Sequence, residues 1–202
     1  MAWVDPEYAE LIGNISIVWN YLEDTVGYIL PKYFEHDQEI SIPVLAALDN
    51  RGRIDLLLHF VDAREDDAEV AERVRYFAKA FSICRDNRNI LVHSAVRLGK
   101  ASSPEHLEKT SRRKLGGKVR YAYDLDVIRR ALREMETTLA FITRLFLTIY
   151  LPLAWRAKAL LGEDIGDKGN PRPLPKIPPL PKQITPLSPE QGAPPPPHSS
   201  ER

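Results

Sequence analysis

Two stretches of this chain repeat apolar residues at alternating steps of four and three without a slip. The first is Val70, Val74, Phe77, Phe81, Cys84, Arg88 and Leu91, with an arginine in one position. The second is Ile128, Leu132, Met135, Leu139, Ile142, Phe146 and Ile149, extended backward by Leu125. A helix turns once in about 3.6 residues, so this spacing lines one face of a rod with apolar side chains, where a strand would need strict alternation. Each such face has to be covered by another. Leu11, Ile15, Val18, Leu22, Val26 and Ile29 make a third face of the same kind, on a helix ending near Pro31. Long amphipathic helices cover one another as a bundle, so the expected fold class is all-α, a bundle of about four to five helices.

The shorter pieces follow from capping chemistry. Ser41-Ile-Pro43 reads as an N-cap with an early proline, opening a short helix. The stretch from Arg53 to Val61 continues as a third helix, broken from the second at Gly52. The carboxylates of Asp66 or Asp67 suit the start of the next helix, and Asp124 suits the N-cap of the last. Between 95 and 123 the helical rhythm fails, and Gly99, Ser102, Ser103, Pro104 and Gly116-Gly117 mark loops. Val119-Arg-Tyr-Ala-Tyr123 alternates like a short strand. Paired with the Val92–Leu98 stretch it makes a small β-hairpin with a long loop.

From Gly162 onward no apolar stripe remains, and 12 of the 17 prolines lie between Pro171 and Pro197. Proline fixes φ and lacks a donor, which favours extended or disordered chain. The division expected is a helical bundle over residues 1–161 and a Pro-rich disordered tail over 162–202. The segment from Arg172 to Pro178 fits a basic-x-x-P-x-x-P pattern, so a proline-recognition module is an expected partner of the tail.

Composition excludes more than it identifies. The chain has 28 basic and 28 acidic residues, so neither a basic nucleic-acid coat nor an acidic solvating tail is its overall character. Neutrality conceals a split. Residues 1–72 carry 4 basic and 16 acidic side chains, residues 73–160 carry 19 and 7. Such a split steers a polyanion to one half or draws halves of two chains together; acidic and basic helices packed side by side in one fold produce it equally well. Cys84 is the only cysteine, which excludes an intramolecular disulfide and a Cys-built zinc site. Its stripe position reads as core packing. No His-x-x-x-His pair or paired carboxylates read as a metal site, so neither metal nor cofactor is expected. The opening MAWVDPEYAE is acidic where a signal peptide begins basic. The apolar run from Leu139 to Trp155 is cut by Arg144 and Pro152, short of the ~20 residues of a membrane span. A cytoplasmic, reducing setting with no membrane is expected.

The segment that carries chemistry is Arg85-Asp-Asn-Arg88-Asn89-Ile-Leu-Val-His93-Ser94. Arg88 and His93 form an Arg-x4-His pattern with Asn89 directly after the arginine. With the long opening helix, the Arg53-Ile-Asp-Leu-Leu stretch and a motif near the end of a long helix, the chain over roughly residues 8–160 resembles the HEPN family of helical-bundle domains. That resemblance implies a metal-independent endoribonuclease, a hydrolase of toxin or defence type acting as a homodimer on RNA. It also implies an antitoxin partner, in some members a small nucleotidyltransferase. Some members are non-catalytic, so a helical module binding RNA, nucleotide or a protein partner stays open as the alternative.

The chemistry can be stated without the family. RNA carries its own nucleophile, the ribose 2′-OH, and histidine titrates near neutrality and can move the protons. Arginine is always charged and fork-shaped, which suits the nonbridging phosphate oxygens. Arg88, His93 and Asn89 are therefore the candidate catalytic residues, with Glu23 and Arg85 in support and Arg112, Arg113 and Lys114 as a phosphate-binding arm. Bland readings stand beside these. Arg88 pairs with a buried carboxylate such as Glu23, His93 caps a helix C-terminus, and Asn89 is a satisfied buried amide. Arg85, Asn89 and His93 share a helix face, but Arg88 and His93 lie about 140° apart on a helix of ~3.6 residues per turn. Either the helix ends before His93, or the length of arginine closes the gap, or a second chain completes the site.

Overall fold

Asp5 opens the first helix, α1 (Pro6–Ile29), by accepting from the backbone N–H of Glu7 at 2.9 Å. The computed structural model describes residues 5–34, 38–98, 104–110, 117–160 and 173–187. Tyr8, Leu11, Ile15, Trp19, Leu22, Val26 and Ile29 form the buried stripe of α1. Trp19 takes the core place expected of Val18 and packs on Phe81 with ring centroids 4.8 Å apart. Pro31 does not end the helix abruptly: the chain tightens into a 3₁₀ turn over Leu30–Phe34.

The next helix, α2 (Gln38–Ala47), differs from expectation. Ser41 lies inside it and is buried, and Pro43 sits in its interior, not in its first turn. The missing proline N–H leaves one intrahelical bond unmade early in a short helix. The break before α3 (Asn50–Arg64) falls at Asp49, whose carboxylate caps the helix by accepting from Gly52 N–H at 2.7 Å. Gly52 thus lies within the first turn of α3. Asp67 caps α4 (Ala68–His93) and Asp124 caps α5 (Leu125–Leu160), as their sequence positions imply.

Helices α1, α4 and α5 pack on one another, with α3 against α4, around Ile15, Leu22, Phe77, Phe81, Met135 and Ile142. The architecture is a mostly helical bundle with a small antiparallel sheet. No helix among the described residues is long and apolar enough to cross a membrane.

The sheet corrects the hairpin. Three strands, β1 (Ala95–Leu98), β2 (Pro104–Thr110) and β3 (Lys118–Ala122), run in the order β1-β2-β3. The two segments expected to pair with each other both pair with β2 instead. Val96, Leu107 and Tyr121 stand in register across the sheet, and Leu107 and Tyr121 are buried in the core.

The Pro-rich segment is also corrected in part. Residues 173–187 are not disordered: they lie as an extended strap along α4 and α5. Arg73 Nε and Tyr76 Oη donate to the carbonyls of Pro175 and Pro179, both at 3.0 Å. Asn87 clasps the chain twice, donating from Nδ2 to Lys182 O at 3.0 Å and accepting from Ile184 N–H at 2.9 Å. Lys182 N–H donates to Glu134 Oε2, and Leu187 N–H donates to Arg120 O on β3 at 2.9 Å. The side chain of Ile184, 7% exposed, is part of the core.

Candidate active site

Arg88, Asn89 and His93 come from the last turns of α4, whose final residue is His93. The helix does not stop short of the histidine. Even so, Arg88 Nη1 lies 3.0 Å from His93 Nε2. Of the three ways to bring the pair together, the length of the arginine side chain achieves it within one chain. The same Nη1 donates to Asn89 Oδ1 at 3.2 Å. A guanidinium only donates, so in this contact Nε2 is the acceptor.

Arg88 is half-buried, and among the described residues no carboxylate pairs with it and its Nε is without a partner. Glu23 does not serve either residue. Its Oε1 accepts from Trp19 Nε1 at 2.5 Å and from Asn50 Nδ2, which ties α1 to the start of α3. Arg85 pairs with neighbouring Asp86 at 3.1 Å and stays out of the site. Arg112, Arg113 and Lys114 lie outside the described residues. The polar residue on the buried stripe of α4 is Asn87, 1% exposed, and the strap is what satisfies its amide.

A cleft of about 770 Å³ opens where the end of α4 meets the sheet. Asn89 and His93 line one wall; Arg97, Glu108, Lys109 and Lys118 line the other. Lys109 Nζ donates to the Asn89 carbonyl at 2.8 Å, which fixes the sheet against the last turns of α4. Glu108 stands opposite Ala95 and Arg120, and the diagonal neighbours Arg97 and Lys118 reach it at 2.7 and 3.0 Å. The Lys118 ammonium first, and the Arg97 guanidinium beside it, hold the Glu108 carboxyl below the usual carboxylate range. The wall carries three cations, Arg97, Lys109 and Lys118, to the one carboxylate of Glu108, which leaves it positive, and Arg88 stands beside His93.

Sequence reasoning misses Arg97, Lys109 and Glu108 as parts of this wall. In Pro104–Thr110 Leu107 is the one aliphatic side chain in the core, and its polar and charged neighbours give no apolar alternation that would mark a strand. Cys84 is no nucleophile: burial pushes its thiol up to about 12. Among the described residues no group of three His, Cys, Asp or Glu side chains is placed to hold a metal ion.

The arrangement offers an imidazole that lines a positive cleft and a permanent planar cation touching it. Comparison of the chain with protein-family models, with curated proteins and with solved structures finds no match.

Proposed function

We propose that the chain is a metal-independent endoribonuclease of HEPN type, with Arg88 and His93 as its catalytic pair and Asn89 in support. The observation that carries the reading is the 3.0 Å contact between Arg88 and His93, a histidine that lines a positively charged cleft. In the resting site the His93 Nε2 lone pair is held by Arg88. A phosphodiester entering the cleft offers the guanidinium better acceptors, its nonbridging oxygens. Arg88 then turns to the phosphate and frees Nε2 beside the ribose. His93 takes the 2′-OH proton, the 2′-oxygen attacks phosphorus, and the bond to the 5′-oxygen breaks as that oxygen takes a proton from water, His93 later returning its proton to solvent. The products are a 2′,3′-cyclic phosphate and a 5′-OH. Arg88 neutralises charge on the phosphorane, the role in which a preorganised cation contributes most. Arg97, Lys109 and Lys118 attract and seat the RNA backbone.

A homodimer and an antitoxin partner belong to the same proposal and follow from the family resemblance, and a cytoplasmic setting is proposed beside them. The test is cleavage of total RNA in EDTA by the full chain and by His93→Ala. Wild type cleaves, and a folded His93→Ala does not. Binding without cleavage by wild type would turn the reading to the non-catalytic RNA-binding module.

A further inference from the structure

Burial along the strap recurs every third residue: Pro175, Pro178, Pro181, Ile184 and Leu187 face inward, and the two residues between each pair are exposed. Three residues per turn is the period of polyproline II. The lengths agree as well. Seven residues from Pro175 to Lys182 span about 22 Å at ~3.1 Å each. The fourteen residues of α4 from Arg73 to Asn87, the side chains that grip those two carbonyls, span about 21 Å at ~1.5 Å each. The two end contacts therefore stand the same distance apart on the helix and on the strap.

The surface beneath has the usual equipment for reading such a ligand. Tyr76 packs edge-on against Phe141 at 5.0 Å and spends its hydroxyl on the Pro179 carbonyl. Arg144 and Phe141 of α5 line the floor under Pro175 and Pro178. Aromatic rings beneath prolines with donors aimed at their carbonyls are how polyproline helices are recognised.

The far end of this surface meets the cleft. Asn87, immediately before Arg88, holds Lys182 and Ile184, and three residues on Leu187 bonds to β3. The strap thus ties together α4 and the sheet, the two walls of the cleft. We propose that the α4–α5 face is a polyproline-binding site whose resident ligand is the chain's own segment 173–187, and that seating this ligand orders the Arg88–His93 end of α4. The proposal does not depend on the ribonuclease reading, and its test measures no activity.

Amide hydrogen exchange on the full chain reads the test directly. Ile184→Asp places a charge on the inner face and should release the strap. Exchange should then rise roughly tenfold or more at residues 88–93 and in β3, with α1 unchanged, as expected of a local opening. A synthetic peptide of residues 173–187, added in excess, should restore the protection. The same peptide with Pro175, Pro178 and Pro181 replaced by alanine should not. The triple variant Pro175→Ala, Pro178→Ala, Pro181→Ala in the full chain buries no charge, and it carries the same comparison should Ile184→Asp fail to fold. Unchanged protection at 88–93 in the released variant, or equal rescue by the proline-free peptide, would overturn the proposal.

Discussion

Arg88 and His93 are held together by a contact that the ideal helix does not provide, so each substitution tests a different part of it. His93 is exposed at the end of α4, and His93→Ala should leave the circular dichroism spectrum and melting temperature near wild type. RNA cleavage should fall by the ~10²–10⁴-fold typical of a lost general base. Arg88→Lys keeps the charge but loses the fork that touches the imidazole and spans phosphate oxygens, and should fall comparably. Cleavage by folded His93→Ala at the wild-type rate would remove the histidine from the mechanism. Cys84 gives an independent check on the core. Below its raised value of about 12 the thiol stays protonated, and the thiolate is the form that reacts. At pH 8 a thiol reagent should label the native chain far more slowly than the chain in denaturant. Rapid native labelling would place Cys84 outside the core described above.

The strap changes what truncation should do. Ending the chain after Leu161 exposes the apolar surface beneath Ile184 and strips the partners from the Asn87 amide. Losing one buried aliphatic side chain and one buried hydrogen-bonded pair costs on the order of 3 kcal/mol. For a chain of this size that lowers Tm by about 6–12 °C, measured by thermal melts of the two lengths. An unchanged Tm would mean the strap adds nothing to the bundle. The helices were legible because their apolar stripes alternate four and three over many turns, and Asp67 and Asp124 mark two of their starts. The strap was not, because a polyproline helix buries every third residue and the eye trained on 3.6 and 2 sees only prolines. Pro175, Pro178, Pro181, Ile184 and Leu187 show the period once it is sought. The middle strand was hidden for a related reason: Leu107 alone faces the core, and its charged neighbours read as loop. In the site, the Arg-x4-His motif was legible from residue type and spacing. Glu23 was the wrong partner for it, because a stripe reading ranks residues by helix and cannot say that Trp19 and Asn50 take that carboxylate first.

Charge distribution ties fold and function together in the whole molecule. Three basic residues of the second half, Arg97, Lys109 and Lys118, line the cleft wall, where Glu108 pairs with Lys118 and Arg97. Because its carboxyl titrates below the ordinary glutamate value of 4.5, its ion pairs add stability above that value, and the contribution is lost as pH falls through the lowered one. The difference in Tm between wild type and Glu108→Gln should therefore be constant from neutral pH down to the ordinary glutamate range and close in more acid solution. A gap that widens with acidification would reverse the sign assigned to Glu108. Arg88 and His93 of one chain touch each other, so under the proposed mechanism mixing inactive Arg88→Ala with inactive His93→Ala should restore no cleavage; partial recovery would mean the site is shared between subunits. The chemical ends of the RNA products test the central claim most directly. With EDTA present, the account predicts 2′,3′-cyclic phosphate and 5′-OH ends from wild type and none from His93→Ala. Products ending in 3′-OH, or cleavage that appears only when Mg²⁺ is added, would contradict it.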